Sequence, residues 1–344
     1  MVNMPLSRLN KPSLNKPGPV ITKRLLKRPL KKSIKQQRGV AIITALLIVT
    51  IATTISITIS TRLQLDIRRT GNLIAQDQAY FYLLAAEEWS QRILRQDKKD
   101  STSDDLSEAW AIQIPPLPVD GGSIQGTLSD LHACININSL LQNGAINNST
   151  KSRLLQLFQN LGIKNDLTQA IADWIDPDQE NTIPNGAEDG YYLNLETPYR
   201  SANSPLYSVS ELRLIKGFED IETFQQIKSY VCALATSDEE TSININTASA
   251  EVLQSLSAEM TEELVSDILK RRDETPFNDL KEFTSFAKLG TIIKDKKNLS
   301  TSSDYFLLRT QAIIGQANNI MYSIIYRDAN SGETKIMSRT QRTL

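Results

Sequence analysis

The sequence predicts an α+β protein in which a long N-terminal helix leaves a membrane and packs on an antiparallel sheet, with a large helical region inserted into that sheet. Three observations predict this class. Residues 39–61 carry no charge, and helical spacing of apolar residues continues beyond them. Cys134–Leu140 (CININSL) resembles Ser242–Ala248 (SININTA), and a helical pattern follows each segment. After Ser300 the chain becomes rich in β-formers with period-two alternation.

The charge of the chain is divided between its two ends. The formal net charge is −1, but the first 39 residues hold eleven Lys or Arg and no acid, whereas the remainder holds 27 basic and 39 acidic residues. The single histidine and two cysteines argue against a multi-histidine metal site, a zinc site built from cysteines and a disulfide-rich scaffold. We therefore expect no enzymatic activity.

The uncharged segment from Gly39 to Thr61 predicts a membrane span. Its 23 residues rise about 34 Å as a helix, which exceeds a bilayer core of roughly 30 Å. Basic residues that flank a span stay in the cytoplasm, so the N-terminus is expected there and the body after Arg62 on the other side. The apolar spacing predicts that the same helix continues to about Leu94.

The junction between the leader and the span resembles that of type IV prepilins and type II secretion pseudopilins. A basic leader ends at Gly39, and an apolar segment begins at Val40. The resemblance implies that a prepilin peptidase cleaves between these two residues and that the new N-terminus is methylated. It also implies a pilin-like head, in which the helix packs on the sheet.

The fifth residue after this junction departs from most of that family, which has Glu there. Thr44 occupies the position here, and the K-type minor pseudopilins (GspK) also lack the Glu. Their downstream pattern A-x-x-Y-x-x-x-A-E is matched by Ala79, Tyr82, Ala86 and Glu87. An uncharged Thr cannot form the buried ion pair of a carboxylate. The resemblance therefore implies a tip subunit with no neighbour ahead of it.

Membership of the K type would also define partners and location. It implies a single-pass protein of the bacterial inner membrane with a periplasmic body, joined at the tip of the pseudopilus to minor pseudopilins of the I and J types. Secreted substrates and the outer-membrane secretin are further candidate partners.

The domain organisation follows from the same patterns. Both repeats end in a short segment that opens with an aromatic residue, Tyr207–Leu212 in the first and Phe277–Phe283 in the second. By resemblance to the K type the repeats are sterile-alpha-motif-like (SAM-like). The predicted parts are a leader (1–39), a transmembrane segment (40–61), the N-terminal helix with the first strand (62–131), a first repeat (132–235) with an acidic insert (177–204), a second repeat (236–300) and C-terminal antiparallel strands (301–344).

The second repeat also resembles the helix-hairpin-helix domain of membrane-anchored DNA receptors, which is an alternative function. Such domains bind phosphates through a Gly-rich hairpin supported by basic residues. The corresponding segment, Leu256–Leu264, has no Gly and three Glu. Both repeats have more acids than bases, and this excess argues against a nucleic-acid partner.

The acidic insert contains the candidate metal site. Asp176 and Asp178 stand in DWIDPD, and Glu188 and Asp189 stand in GAEDGYY. Clustered carboxylates in a long loop suit Ca2+, which prefers several oxygen ligands. A solvated acidic loop is the alternative. The insert resembles the calcium-binding region of the K type, which favours Ca2+ with these four residues as ligands.

Cys134 opens the first repeat and Cys232 precedes the second. In an oxidising compartment they could form one disulfide that pins the repeats together. The sequence leaves this pairing open, because it does not give the distance between the α-carbons.

Overall fold

A computed structural model describes residues 38–113, 115–163, 166–235 and 240–341, with Arg38 described for its backbone alone. The described chain divides into two compact units between Gln64 and Leu65. The leader predicted for residues 1–39 therefore lies almost entirely outside the described residues.

The described elements include a few long helices and strands and many short ones. The helices are α1 (Arg38–Asp100), α2 (Asn148–Asn160), α3 (Thr168–Ile175), α4 (Asp189–Tyr192), α5 (Ile221–Ile227), α6 (Ala250–Gln254), α7 (Glu262–Glu274), α8 (Leu280–Ser285) and α9 (Leu289–Ile292). Short 3₁₀ helices lie at Ile137–Leu140, Val209–Leu214 and Phe286–Lys288. The strands are β1 (Leu117–Val119), β2 (Gly122–Asp130), β3 (Ile135–Asn136), β4 (Leu141–Gln142), β5 (Ala145–Ile146), β6 (Val231–Cys232), β7 (Ile243–Asn244), β8 (Leu299–Ser300), β9 (Tyr305–Ile314), β10 (Ala317–Arg327) and β11 (Thr334–Gln341).

The main sheet has five antiparallel strands in the order β1-β2-β9-β10-β11. Its register runs from Gly122 opposite Ile314 to Asp130 opposite Phe306 between β2 and β9. These two strands are neighbours in the sheet, yet the whole helical region lies between them in the chain. The helical region is thus an insertion into a sheet, and the predicted α+β class with a long N-terminal helix is confirmed.

One face of the sheet is covered by the C-terminal part of α1. Ala79 and Leu83 pack against Ala312, Ile314 and Met321. Farther along the helix, Leu94 packs against a second group of sheet residues: Phe306, Leu308 and Ile325. Trp110, from the segment that follows the helix, joins this group. Alternate residues of β9 are buried, because successive side chains of a strand point to opposite faces.

Helix α1 ends at Asp100, six residues beyond the predicted end at Leu94. The last turns are polar, so apolar periodicity could not predict them. They are held by tertiary contacts, since the buried Arg327 donates from Nη1 to Asp97 Oδ2 at 2.8 Å and also pairs with Asp104. Burial, and next Glu108, raise the pKa of Asp97 to about 7.

The two repeats share a side-chain device that the sequence did not reveal. In the first repeat, Asn138 Nδ2 donates to Leu206 O at 2.9 Å, and Leu206 N donates back to Asn138 Oδ1 at 2.8 Å. In the second, Asn246 makes the same two bonds with Phe277, both at 2.9 Å. We call each pair of bonds an asparagine clamp. Both clamps satisfy buried backbone groups where two distant segments meet.

The segments that end the two repeats, which we call the closing segments, correspond differently in the structure and in the sequence comparison. The clamps shift the correspondence by one residue. The sequence matched Tyr207 with Phe277 because both are aromatic, but the structure places Leu206 in the position of Phe277. Leu206 and Phe277 are fully buried, whereas Tyr207 is 83% exposed. Burial, not aromatic character, defines the equivalent residue.

The ends of each repeat are joined by a short parallel strand pair. Strand β3 pairs with β6 in the first repeat, and β7 pairs with β8 in the second. Both repeats contribute to one hydrophobic core, with Leu154 and Ile171 from the first and Val252 and Ile268 from the second. The boundary predicted between residues 235 and 236 therefore divides two repeats of one core and does not separate two cores.

Candidate metal centre and membrane anchor

The candidate metal centre lies where the acidic insert meets helix α3. Asp173 is fully buried on α3, and Asp176 is the C-cap residue of the same helix. Glu188 is the buried N-cap residue of α4. Trp174 of α3 packs edge-on against Tyr192 of α4, with ring centroids 5.1 Å apart, which fixes the two helices relative to each other.

Three carboxylates converge at this point. Asp173, Asp176 and Glu188 each offer an oxygen within 4.8 Å of those of the other two. One oxygen of each residue, Oδ1 of both aspartates and Oε1 of Glu188, is buried and has no hydrogen-bond partner. The second oxygen of Asp173 accepts from Thr182 N at 3.0 Å, and that of Glu188 accepts from Ser201 Oγ at 3.0 Å. We call these three residues the carboxylate site.

The carboxylate site carries uncompensated negative charge. Within the described residues, no Lys, Arg or His forms an ion pair with any of its members. Burial, followed by the neighbouring Asp178 and Asp173, raises the pKa of Asp176 to about 6. Burial, together with the neighbouring aspartates, raises the pKa of Glu188 to about 7. The site therefore takes up protons near neutral pH unless a cation compensates it.

At Gly186 the backbone of the acidic insert packs directly against the carboxylate site. Its N–H donates to Thr182 O at 2.7 Å. A Cβ built on Gly186 would overlap the Asp173 carboxylate and the backbone of Thr182. Only glycine allows the turn from Thr182 to Gly186 to approach Asp173 this closely.

The donor set fits a hard divalent cation. Unpartnered buried carboxylate oxygens are costly, and Ca2+ takes carboxylate and carbonyl oxygens from a flexible loop. The three inward oxygens would supply ligands to such an ion, and the uncompensated charge would be neutralised by it.

Only two of the four predicted ligands belong to the carboxylate site, namely Asp176 and Glu188. Asp178 Oδ1 instead accepts from Glu180 N at 2.8 Å. Asp189 accepts from Ser201 N at 3.0 Å and lies 3.8 Å from Arg200 Nε. A metal role for these two stays a prediction without support from their contacts.

Asp173 is the member that the sequence reasoning missed. It stands three residues before Asp176, and this spacing places both side chains on one side of the chain as α3 ends. The available signal was an acid within the otherwise apolar run AIADWI, since a charge in a buried helix needs a partner.

A disulfide joins Cys134 to Cys232, with α-carbons 5.8 Å apart. It lies at the ends of the first repeat, beside the pairing of Asn136 with Cys232. The bond therefore closes the first repeat and does not pin the two repeats together, as the sequence had suggested. The second repeat has Ser242 and Ser300 in the equivalent positions, because Asn244 pairs with Ser300 in the same way. The first repeat alone is closed by a covalent bond among the residues described.

Comparison with known proteins gives the family. Two family models described as "Type II secretion system (T2SS), protein K" match residues 133–236 and 243–302. The chain is 33% identical over 315 residues to type II secretion system protein K of Aeromonas hydrophila, covering 86% of this chain and 94% of the relative. The chain belongs to the type II secretion system protein K family.

Other members agree with this assignment. The protein K of Pseudomonas aeruginosa is 31% identical over 316 residues, covering 88% of this chain and 92% of the relative. A chain in the crystal structure of the GspK-GspI-GspJ complex from enterotoxigenic Escherichia coli aligns with a TM-score of 0.70 and 26% identity, covering 80% of this chain and 100% of that chain.

Membership of the protein K family establishes a minor pseudopilin role in type II secretion. The family is a structural component of the secretion machinery. Both helical repeats match protein K models, so the resemblance to a DNA receptor is not retained.

Helix α1 supplies the membrane anchor of this protein K member. It is long and apolar enough to cross a bilayer, and its most apolar 18-residue window has a mean hydropathy of 2.5 with no residue buried. Together with the family, this makes the chain a single-pass, membrane-anchored protein. The Thr and Ser hydroxyls of the span bond back to carbonyls one turn earlier, as Thr54 does to Thr50 O at 2.7 Å.

Thr44 behaves in the same way. Its Oγ1 lies 3.1 Å from Val40 O and 3.0 Å from Ala41 O, so its hydrogen is used inside the helix. Gly39 and Val40 both lie in the first turn of α1 and are exposed. Cleavage between these two residues stays a prediction.

Proposed function

We propose that this protein K member forms the tip of the periplasmic pseudopilus together with I-type and J-type minor pseudopilins. The observation that carries the proposal is the alignment with a chain of a complex that contains GspK, GspI and GspJ, because it covers the whole of that chain. The inserted helical region, residues 131–304, supports a cap, since a bulky insertion suits the end of a filament better than its repeating body.

Thr44 supports the same position. A carboxylate at this place would pair with the amine of the subunit ahead, and an uncharged side chain cannot form that pair. The tip subunit has no subunit ahead of it and does not need the pair.

The exposed side of α1 offers the surface for partner helices. Ile67, Ile74 and Phe81 are exposed, and their seven-residue spacing places them along one side of the helix. Phe81 lies about half a turn from Leu83, which faces the sheet. Such an apolar stripe fits the helices of neighbouring subunits, where it would be covered.

Co-purification tests this proposal. Residues 62–344 are expected to bind the periplasmic parts of I-type and J-type minor pseudopilins from the same secretion system. The double substitution Ile74→Asp and Phe81→Asp is expected to abolish binding. The matched control is Ile221→Asp, an exposed apolar residue on α5, and it should bind normally. Absence of binding by the unmodified fragment would sink the tip assignment.

The orientation and processing belong to the same proposal. The basic leader places the N-terminus in the cytoplasm and the body in the periplasm. A prepilin peptidase cleaves between Gly39 and Val40, and the Val40 amine is methylated. Mass spectrometry of the purified membrane protein tests both steps, and a mature chain that still carries residues before Val40 would contradict them. The repeats, with their shared clamps, serve as SAM-like protein-interaction modules that contact secreted substrates or the secretin.

We further propose that the carboxylate site binds Ca2+. Three observations support this proposal. Three buried carboxylate oxygens have no hydrogen-bond partner, no cation among the described residues compensates them, and the backbone turn at Gly186 lies against Asp173. The ion would hold the acidic insert, residues 177–204, against α3. The role is structural, since the ion joins α3 to a long loop that has little secondary structure of its own.

Thermal unfolding tests calcium binding. After chelation, the wild-type protein is expected to melt at a higher temperature when Ca2+ is added, because a ligand that binds only the folded state stabilises it. Asp176→Asn and Glu188→Gln should lose this rise. Asp178→Asn is the matched control and should keep it, whereas the double substitution of Asp176 and Asp178 should behave as Asp176→Asn alone. A wild-type protein that does not respond to Ca2+ would overturn the assignment.

A further inference from the structure

A short segment outside the acidic insert holds the insert in place. Leu214–Glu219, which we call the brace, follows the 3₁₀ helix Val209–Leu214 and leads into α5 through Asp220, the N-cap residue of that helix. Four hydrogen bonds connect the brace to the insert. Tyr199 Oη donates to Leu214 O at 2.7 Å, Lys216 N donates to Tyr192 Oη at 3.3 Å, Lys216 Nζ donates to Gly186 O at 3.1 Å and Tyr191 Oη donates to Glu219 Oε1 at 3.0 Å.

Lys216 is the centre of these contacts. It reaches Gly186, the residue that closes the turn over Asp173, and its ammonium also lies 5.1 Å from the centre of the Tyr191 ring. Lys216 does not form an ion pair with the carboxylate site among the described contacts. It therefore holds the backbone around the site instead of neutralising the site.

The brace itself has a fixed shape. Gly217 has a φ of +90°, and a Cβ there would overlap Leu167. Gly217 N donates to Glu219 Oε2 at 2.7 Å, while the other oxygen of this carboxylate accepts from Tyr191. The brace leads directly into α5, whose Phe224 and Ile227 are buried in the shared core.

The carboxylate site and the brace thus meet at the same segment of the insert. Gly186 lies against Asp173 and accepts from Lys216. Tyr191 and Tyr192 follow Glu188 in α4 and contact Glu219 and Lys216. An ion that orders the Thr182–Gly186 turn and α4 would therefore also order the brace.

We propose that Lys216 is a positioning residue for the carboxylate site and that the brace transmits occupancy of the site to α5. This inference rests on the calcium site proposed above. Lys216 keeps the Gly186 turn in the conformation that receives the ion, and a bound ion in turn stabilises the brace and the start of α5.

Calcium affinity and hydrogen exchange of the full-length chain in detergent test this inference. Lys216→Met is expected to weaken Ca2+ binding by about tenfold, the lower end of the loss seen when a residue supporting a metal ligand is changed. In the wild type, Ca2+ should slow amide exchange in peptides covering Ile221–Ile227, and Lys216→Met should lose that slowing. Lys216→Arg, which keeps a cationic donor, should restore part of both effects.

Two further variants make the test specific. Lys228→Met removes an exposed lysine at the other end of α5 and should leave both readouts at wild-type values. Tyr199→Phe removes the bond to Leu214 alone and should reduce the calcium-dependent protection of α5. If Lys216→Met does not fold, Tyr199→Phe still tests whether the brace transmits calcium binding to α5.

The outcomes separate the two proposals. A wild-type chain that binds no Ca2+ overturns the metal site, and the inference falls with it. If the wild type binds Ca2+ but Lys216→Met binds it equally well, the positioning role alone is overturned. Tighter binding by Lys216→Met would mean that the ammonium only repels the ion, and this result also overturns the inference.

Discussion

The two helical repeats use the same clamp but differ in the length of the chain between its partners and in what that chain contains. Asn138 and Leu206 are 68 residues apart, whereas Asn246 and Phe277 are 31 apart. The longer repeat contains the carboxylate site and is closed by the disulfide. In the shorter repeat, Arg271 pairs with Glu282.

This difference indicates how a compact scaffold accommodates a long insertion. The clamp satisfies backbone groups where the closing segment returns to the start of the repeat, and one clamp is enough when the connection is short. The longer connection leaves more chain to order and therefore costs more conformational entropy. In the first repeat a covalent bond restrains the additional residues, and the Ca2+ proposed for the carboxylate site would restrain them further.

Removal of the disulfide is expected to have the largest effect. Replacing Cys134 and Cys232 by Ser should lower the free energy of unfolding by about 4 kcal/mol, since the bond closes a loop of 98 residues and long loops lose most when opened. Urea unfolding of the purified protein measures this loss.

The second repeat provides the control for the disulfide. Ser242 Oγ lies 3.1 Å from His132 Nδ1, and Ser300 Oγ donates to Ser302 O at 2.7 Å. Ser300 Oγ also accepts from Ser302 N at 2.9 Å. Replacing both serines by Ala should cost about 1–2 kcal/mol, because these hydrogen bonds are partly exposed and each contributes little. An equal loss in the two double variants would mean that the covalent bond contributes no more than the polar contacts do.

Loss of a clamp is expected to come next. Asn246→Ala leaves the buried N–H and C=O of Phe277 without partners and should cost about 2–4 kcal/mol. Asn138→Ala should cost less, because Asn138 is only partly buried and Asn246 is 1% exposed. Comparing the two free energies of unfolding tests whether the clamps are equivalent. A smaller loss for Asn246→Ala than for Asn138→Ala would contradict the role of burial.

The local patterns of the sequence predicted the elements, and they could not predict the contacts between them. Period-two alternation gave the strands from Tyr305 onward, and an uncharged run gave the anchor. The clamp of Asn138 joins residues 68 positions apart, and no local pattern encodes such a contact. Helix propensity likewise gave no reason for α1 to continue to Asp100, because its last turns depend on Arg327.

The candidate metal site was predicted in part for the same reason. The motifs identified an acidic insert, and Glu188 lies within it while Asp176 directly precedes it. Asp173 belongs to a helix that precedes the insert, and only the fold of α3 against α4 brings it to Glu188. Asp178 and Asp189 are carboxylates as well, but the fold does not bring them into the group formed by Asp173, Asp176 and Glu188.

Titration of the carboxylate site in the first repeat should change the melting temperature of the metal-free protein by a few degrees. In the metal-free protein the pKa values of Asp176 and Glu188 are raised to about 6 and about 7. Unfolded carboxyls titrate near about 4. The folded state therefore binds more protons than the unfolded state between these values, and stability is lost as the pH rises from about 5 to 8.

Thermal melts in a chelator at pH 5.5 and pH 8 measure this loss. Asp97 contributes in the same direction, since its pKa is raised to about 7, so the decisive quantity is the difference between wild type and the double variant Asp176→Asn, Glu188→Gln. That variant should have a flatter profile, and Ca2+ should flatten the wild-type profile. Parallel profiles for the wild type and the variant would mean that the carboxylate site does not govern the loss.

The smallest expected effect concerns two glutamates that occupy equivalent places in the closing segments. Glu211 Oε1 accepts from Tyr207 N at 2.8 Å and Ser208 N at 3.1 Å, which completes a capping box that glutamine can also form. Glu282 accepts from Asn278 N at 3.0 Å and in addition pairs with Arg271. Glu211→Gln should therefore change the free energy of unfolding by less than about 0.5 kcal/mol, and Glu282→Gln should cost about 0.5–1 kcal/mol, because its ion pair is partly exposed.

Salt concentration separates the two contributions in the second repeat. The ion pair is screened by salt, whereas the backbone cap is not. Urea unfolding is measured at about 0.1 M and about 1 M NaCl, where the screening lengths are roughly 10 Å and 3 Å. The higher salt concentration should reduce the loss of unfolding free energy caused by Glu282→Gln and leave that caused by Glu211→Gln unchanged. A double-mutant cycle with Arg271→Gln isolates the pair. A coupling energy of zero at low salt would mean that both glutamates act only as helix caps, so that the closing segments of the two repeats are energetically alike.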